Sequence, residues 1–186
     1  YPDWFNGAVP SFGDPNARLL IVGLAPGLQG ANRTGRPFTG DYAGDLLYGA
    51  LEKYGFCIGR YDARPDDGLL LTDAIITNAV RCVPPQNKPT GAEIKTCRNF
   101  LAQTIAALEN LSAILCLGRI SHESVRTVFG LKAAHAPFGH GARVDVDPGI
   151  AIFDSYHCSR YNTNTRRLTE EMFFEVFEAI REHLDG

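Results

Sequence analysis

Short apolar runs alternate along the chain with longer stretches that repeat their apolar residues at helical spacing. Runs of this length, bounded by polar or glycine-containing segments, are typical of strands buried on both faces of a sheet. The pattern therefore predicts four central strands. They are Leu19–Leu24, Ala74–Val80, Ala113–Leu117 and Ile150–Phe153.

Helical patterns lie between and after these runs. Thr90 is followed by Glu93 in a capping box that marks the start of one helix, and Gly55 marks the end of another. Strands that alternate with helices indicate a parallel sheet with helices on both faces. Helices are predicted over Asp41–Tyr54, from Thr90 through Leu108, over Ser121–Phe129 and over Leu168–Leu184, and Arg143–Asp147, with a Pro-Gly turn after it, adds a short edge or hairpin strand.

The composition is that of a globular domain, with 45% hydrophobic and 21% charged residues in a chain of 186. No run approaches the roughly 18 apolar residues of a membrane span, and no signal peptide is visible. Five cysteines, an odd number, argue against a secreted disulfide framework. We therefore expect one cytoplasmic domain over residues 1–186, and the start at Tyr1 rather than at methionine leaves room for a segment upstream.

The net charge of −3 disfavours a polyanionic partner on average, but the charges are segregated. Residues 28–40, 74–92 and 155–168 contain no Asp or Glu, and each stretch lies at the carboxyl end of a predicted strand. If they converge, they form a locally positive face suited to phosphates; the alternative is three solvated loops. Their basic residues include Arg33, Arg36, Arg81, Lys88, Arg160, Arg166 and Arg167.

The glycine-rich segment from Leu19 to Asp41 follows the first strand, where ligands collect in open α/β sheets. Its glycines fit neither the dinucleotide fingerprint nor the P-loop. Glycines let backbone amides approach a ligand closely, and Phe38 offers a flat face for a planar group. An ordinary connection between strand and helix is the alternative.

Two polar residues in the other acid-free stretches are candidates for chemistry. Asn78 carries a carboxamide with one acceptor and two donors, which complements an imide edge of alternating carbonyl and N–H groups. His157 lies in a loop rich in hydroxyl and amide side chains and could hydrogen-bond a developing oxyanion. The alternatives are a satisfied polar residue at a strand end and an inert loop histidine.

Together the three segments resemble the uracil-DNA glycosylase superfamily, most closely family 5, the type b enzymes of bacteria and archaea. The resemblance covers nearly the whole chain and implies a three-layer α/β/α sandwich around a four-stranded parallel sheet. It also implies a DNA-repair enzyme that flips uracil out of DNA and hydrolyses its N-glycosidic bond. The matching motifs are GLAPG at 23–27 with NRTGRPFTGD at 32–41, TNAVRCVPPQNKPT at 77–90 and SYHCSRYNTNT at 155–165.

The resemblance also implies roles for individual residues. Asp41 would assist the attack of water, and His157 would stabilise the departing base. Asn78 and Phe38 would line the base pocket, with Asn78 also counted among the catalytic groups. The pocket floor would be formed by Gly23, Ala25, Pro26 and Gly27.

The loop after His157 is the expected DNA-binding segment, in a protein expected to act as a monomer associated with the nucleoid. Arg160 and Tyr161 are candidates for the side chain that wedges into the duplex. Lys88 is the only lysine in the three loops, and we expect it at the rim, so a monofunctional enzyme without Schiff-base chemistry is predicted. Phosphate contacts are expected from Ser159, Asn162 and Thr163, and Arg166 adds charge where the family often has glycine.

The resemblance further implies a [4Fe-4S] cluster held by four cysteines. Cys82 and Cys97 match the second pair of that pattern, whereas the first pair is absent from this sequence. Either the missing ligands lie upstream of Tyr1, or the cluster has been lost and the two thiols are free. Four thiolates are the usual requirement.

Several alternatives stay open at this point. The small residue Ala25 could widen the pocket for hypoxanthine or xanthine. Cys158 stands where the family commonly has proline, which leaves a free amide and room for an exposed thiol. A family 4 enzyme, a catalytically weak protein that binds abasic or single-stranded DNA, and a nucleotide-binding α/β protein are the competing functions.

Overall fold

The structure, a computed structural model, describes residues 1–146 and 149–186. Its strands are β1 (Phe12–Gly13), β2 (Leu19–Gly23), β3 (Cys57–Ile58), β4 (Leu70–Leu71), β5 (Ala74–Asn78), β6 (Ala113–Leu117), β7 (Arg143–Val146) and β8 (Ile150–Ser155). Its helices are α1 (Ala31–Thr34), α2 (Tyr42–Lys53), α3 (Gly91–Ala107), α4 (Arg119–Val128), α5 (Arg160–Asn164) and α6 (Glu170–Asp185), and a 3-10 turn covers Pro85–Asn87.

The main sheet has six strands in the order β1-β5-β2-β6-β8-β7. The four central strands are parallel, as predicted, and the edge strands β1 and β7 run antiparallel to their neighbours. Every residue of β2 and of β6 is buried, which explains why their sequences are continuous apolar runs. The predicted four-stranded parallel sheet is therefore confirmed and is extended at both edges.

Differences from the predicted strands lie in the short elements. The edge strand predicted at Arg143–Asp147 is present as β7, whereas Asp147 and the Pro148 of the predicted turn lie outside the described residues. The strand β1 and the separate hairpin of β3 and β4 were not predicted. With two residues each, they carry no readable alternation of apolar and polar positions.

The four predicted helices are present with small shifts at their ends. Asp41 caps α2 and Thr90 caps α3 in a complete capping box. The closing helix α6 begins after Thr169, whose hydroxyl accepts from the Met172 amide. The sequence predicts no helix at α1 or α5, because segments of four or five mostly polar residues show no apolar stripe.

The helices cover both faces of the sheet. One apolar cluster joins Leu19 and Ile21 of β2 to α2 and α6, where Phe177 is fully buried. A second joins Leu20 and Val22 of the same strand to α3 and α4. Side chains alternate between the two faces of a strand, so β2 contributes to both layers. The arrangement is the expected three-layer α/β/α sandwich.

Within the described residues, we find no helix with the length and apolar character needed to span a lipid bilayer.

Candidate active site

The carboxyl ends of the parallel strands bring the predicted segments to one edge of the sheet. An open cleft of about 320 Å³ lies there. Residues from the loops after β2 and after β8 meet across it, together with the start of α2 and the 3-10 turn after β5. The cleft is lined by Leu24, Ala25, Pro26, Asp41, Tyr42, Ala43, Asn87, His157, Ser159 and Arg160.

Asp41 is the N-cap residue of α2, and this position holds it at the cleft. Its Oδ1 accepts a hydrogen bond from the Gly44 amide at 3.3 Å, and its backbone is extended. A Cβ on Gly30 would lie 2.8 Å from the Asp41 Cγ, so only glycine leaves room for the carboxylate there. Burial raises the pKa of Asp41, the Gly44 amide opposes that rise, and Asp45 adds to it.

Phe38 has a strained backbone, and its ring lies beside His157 at the site. The residue is buried and has a φ of 54°, in the left-handed region that bulky residues rarely adopt. A Cβ on Gly23 would lie 2.6 Å from the Phe38 ring, so these two residues are packed together. The centroids of the Phe38 and His157 rings are 6.0 Å apart, with 28° between their planes.

Asn78 ends β5 opposite Gly23, and a Cβ on that glycine would collide with the Asn78 carboxamide oxygen. The residue is only 5% exposed. Its carboxamide oxygen has no hydrogen-bond partner among the residues that the structure describes. An unpaired buried oxygen costs about 1–3 kcal/mol, and such groups are informative about function. The oxygen therefore keeps an unused acceptor position close to the site.

His157 is half-buried at the opposite side of the cleft. Desolvation lowers the pKa of its imidazole to about 4, so the ring is neutral at physiological pH. The Asn162 carboxamide donates to the His157 carbonyl at 2.9 Å and fixes the loop. Cys158 is fully buried, and its thiol contacts the Ala43 carbonyl at 3.5 Å. The expectation of an exposed thiol at Cys158 was wrong.

The predicted DNA-binding residues surround α5 at the mouth of the cleft. Ser159 caps this helix by accepting from the Asn162 amide, and Arg160 lies 5.1 Å from the centroid of the Tyr42 ring. Tyr161 is 74% exposed. Thr163 bonds the carbonyls of Ser159 and Arg160. Asn162 and Thr163 thus use their side chains inside the loop, whereas Tyr161 and Arg160 are free to reach a partner.

Arg166, with a φ of 58°, follows α5 and is exposed. Arg36 does not belong to the positive face that the acid-free stretches predict. It is buried and forms a two-point ion pair with Asp67, at 2.8 Å for each contact. Arg81 is half-buried and bonded to Thr104. Among the basic residues of the three acid-free stretches, the exposed ones are Arg33, Lys88, Arg160, Arg166 and Arg167.

Sequence reasoning missed four residues that line the cleft. Leu24, Tyr42 and Ala43 are direct neighbours of predicted site residues. Asn87 lies in the second acid-free stretch, next to Lys88, and no role was assigned to it from the sequence. Its φ of 57° marks a strained turn, and Gln86 before it has a φ of 55°. The signal in the sequence was the pair of prolines before this turn.

Cys82 and Cys97, the two predicted cluster ligands, line a separate cavity of about 320 Å³. Cys82 is exposed and Cys97 is half-buried. The described part of the chain has no group of three or more His, Cys, Asp or Glu side chains arranged to hold a metal. The two thiols share a cavity, as ligands of one group would, but the residues present do not complete a four-thiolate site.

The comparison with known proteins agrees with this geometry. A model of the uracil DNA glycosylase superfamily matches residues 10–181. The chain belongs to the uracil-DNA glycosylase superfamily. It is 47% identical to a type-5 uracil-DNA glycosylase of Thermus thermophilus over 93% of this chain and 79% of that protein. A type-5 uracil-DNA glycosylase of Pyrobaculum aerophilum is 40% identical over 95% of this chain and 77% of its own length.

Type-4 members of the superfamily are more distant. A type-4 uracil-DNA glycosylase of Sulfurisphaera tokodaii is 31% identical over 92% of this chain and 74% of that protein. The predicted resemblance to family 5 is therefore confirmed. All four side chains for which the resemblance implied catalysis or base binding, Asp41, Asn78, Phe38 and His157, lie at the carboxyl edge of the sheet.

Proposed function

We propose that this protein is a DNA-repair glycosylase that hydrolyses the N-glycosidic bond of uracil in DNA and leaves an abasic site. The observation that carries the proposal is that Asp41 and His157 line one cleft, while Phe38, whose ring lies beside His157, and Asn78 both lie against Gly23. Membership of the superfamily and the identity to type-5 uracil-DNA glycosylases support it.

Uracil would be recognised beneath the cleft. The base is planar, and the buried ring of Phe38 offers a stacking face. The free carboxamide oxygen of Asn78 accepts from the N3–H of the base, and the amide donates to O4. Cytosine presents an acceptor at N3 and a donor at C4, so it leaves the carboxamide mismatched.

The chemistry would depend on Asp41 and His157. A water molecule attached to the Asp41 carboxylate attacks C1′, its proton passes to the carboxylate, and the bond between C1′ and N1 breaks. The electron pair of that bond leaves with the base, and positive charge develops on the sugar as in other glycoside cleavages. The neutral imidazole of His157 donates its N–H to the oxyanion that forms on uracil.

Access to the base requires flipping, which costs a few kcal/mol. The exposed Tyr161 at the start of α5 would fill the space that the base leaves, with Arg160 beside it. Arg166 is the proposed charged phosphate contact, and Ser159, Asn162 and Thr163, whose side chains also bond within the loop, are proposed to contribute beside it. Among the described residues no lysine lines the cleft, and a monofunctional glycosylase without Schiff-base chemistry is proposed.

The test is base release from oligonucleotides that contain a single uracil, in single and double strands, followed by alkali cleavage at the abasic site. Wild-type protein should release uracil, and Asp41→Asn and His157→Ala should abolish release while they keep DNA affinity. Release by both variants at the wild-type rate would refute the proposed roles. Binding without release by the wild type would favour a non-catalytic DNA-binding protein.

A broader range of bases is a second part of the proposal. Ala25 lines the cleft with a single methyl group, which leaves space for the larger purines hypoxanthine and xanthine. A panel of duplexes with each deaminated base measures this directly. Activity confined to uracil would contradict it, and Ala25→Leu should then have no effect on selectivity.

The same oligonucleotides and variants distinguish two other functions from the proposed one. A type-4 enzyme is less favoured, because the type-4 relative has lower identity than the type-5 relatives. A nucleotide-binding protein unrelated to DNA would bind free nucleotides and show no dependence on a duplex. The monomeric state and the cytoplasmic, nucleoid-associated location stay predictions, which size-exclusion chromatography and cell fractionation test.

We also propose that Cys82 and Cys97 supply two of the four ligands of a [4Fe-4S] cluster. Their shared cavity supports the pairing. The condition is that two further thiolates come from outside the described residues, because such a cluster takes four. Iron content and the visible absorption spectrum of the natural protein test this. A colourless, iron-free protein purified under anaerobic conditions would refute it.

A further inference from the structure

A row of hydroxyl groups holds the backbone between Arg36 and Asp41. The Tyr48 hydroxyl donates to the Pro37 carbonyl at 2.8 Å, and the Tyr61 hydroxyl donates to the Phe38 carbonyl at 3.2 Å. The Thr34 hydroxyl donates to the Thr39 carbonyl at 3.0 Å. Three consecutive carbonyls are therefore each bonded by a different side chain. None of these three donors lines the cleft itself.

A buried ion pair anchors the same segment from behind. Arg36 uses one nitrogen for the Thr39 hydroxyl at 2.7 Å and two for the carboxylate of Asp67. Asp67 also accepts from the amides of Asp62 and Leu69, and Arg36 holds the pKa of its carboxyl far below the ordinary value. The rings of Phe12, Tyr48 and Tyr61 lie 5.0, 5.4 and 5.7 Å from the guanidinium.

The held segment contains both a strained residue and the proposed catalytic acid. The left-handed backbone of Phe38 is costly, by about 1–3 kcal/mol for such residues, and persists only where its surroundings enforce it. Gly40 then turns the chain, with a φ of 95°, into Asp41. A small shift of the Phe38 carbonyl thus displaces the stacking ring and the carboxylate together.

We propose that Tyr61 and the Arg36–Asp67 pair are positioning residues that hold Phe38 and Asp41 in their working geometry. The inference rests on the proposed function and deepens it, because these residues touch neither the base nor the water. Tyr61 and Asp67 come from the connection between β3 and β4. The small hairpin is then part of the active-site support.

Tyr61→Phe is the sharpest test, because it deletes one oxygen and keeps the ring that stacks on Tyr48 at a centroid distance of 4.3 Å. Burial raises the pKa of Tyr61 to about 12, so its hydroxyl keeps its proton throughout the assay. Tyr54→Phe is the matched control. Tyr54 packs against Phe174 and Phe177, on the side of α2 and α6.

Single-turnover base release should fall about 10-fold to 100-fold in Tyr61→Phe, since a displacement of this kind in an active site costs up to about 100-fold. Affinity for a duplex containing an abasic site should stay within twofold, and Tyr54→Phe should match the wild type in both. Arg36→Lys keeps the positive charge but loses the two-point contact with Asp67. A folded Arg36→Lys variant should show the same loss of rate as Tyr61→Phe.

Amide hydrogen exchange at Gly44, whose N–H bonds Asp41, reports on the segment without turnover. Exchange should be faster in Tyr61→Phe and unchanged in Tyr54→Phe. A wild type without base release would refute the proposed function, and exchange would then decide the positioning inference alone. Wild-type release and wild-type exchange in Tyr61→Phe would overturn the inference.

Discussion

Replacing Asn78 by leucine separates base recognition from folding. The leucine side chain has nearly the shape of the carboxamide and removes its hydrogen-bonding groups. In the proposed complex, the N3–H and O4 of uracil would then be buried without partners, at about 1–3 kcal/mol each. The sum of about 2–6 kcal/mol corresponds to a loss of about 30-fold to about 3 × 10⁴-fold in kcat/KM for uracil release.

The stability of Asn78→Leu should not fall with its activity. The Asn78 oxygen is buried and has no partner among the described residues of the protein, so its removal relieves a cost of about 1–3 kcal/mol. The free energy of unfolding of Asn78→Leu should be unchanged or higher. Thr77→Val is the matched control, because Thr77 is 1% exposed, its hydroxyl is also unpaired there, and its side chain points to the other face of the sheet.

The assay is single-turnover release from a uracil duplex, alongside urea unfolding of the same preparations. Thr77→Val should keep the wild-type rate and show a similar change in stability. If Asn78→Leu releases uracil within threefold of the wild-type rate, Asn78 does not read the base. A variant that loses rate and stability together would show that the carboxamide is structural.

Four further outcomes follow from the site. Because burial raises the pKa of Asp41, the acid limb of the rate profile should lie above the ordinary aspartate pKa of about 3.9; a limb at or below that value would contradict the assignment. The His157 imidazole has its pKa lowered to about 4 from 6.5, so its contribution to stability is complete above pH 6.5 and is lost as the pH falls towards 4. Relative to His157→Gln, the unfolding free energy of the wild type should be about 2 kcal/mol smaller at pH 5 than at pH 7.5, and equal pH dependences would refute this. Tyr161→Ala should slow release from duplexes more than from single strands, since only the duplex must be opened; equal losses would exclude a wedge. In iron-free protein under native conditions, a thiol reagent should modify the exposed Cys82 and spare the buried Cys158, whose pKa burial raises to about 12, and rapid modification of Cys158 would show that its loop opens.

The parts of the fold that were predictable are those with a repeated pattern. The runs at Leu19–Gly23 and Ala113–Leu117 are apolar because both faces of these strands are covered. Their direction then placed Asn78 and His157 at one edge. The carboxyl ends of parallel strands always lie at the same edge of a sheet. For this reason the sequence alone predicted that three separate segments meet there.

The residues that hold the site in place could not be predicted from the sequence. Arg36 was read as a surface cation, because its partner Asp67 lies 31 residues later in a connection without any periodic pattern. Side-chain bonds over such separations leave no local signal. The strained backbone of Phe38 could not be predicted from the sequence either, since the surroundings of the residue, and not its own preference, select the conformation.

Asp41 also serves as the N-cap of α2, and this constrains how the protein can change over generations. Asparagine and serine cap helices about as well as aspartate does and threonine somewhat less well, whereas alanine costs about 0.5–2 kcal/mol. A descendant that no longer needs glycosylase activity can therefore lose its acid at the least cost in stability through these few substitutions. We expect inactive relatives that keep this architecture to carry one of those three residues at position 41.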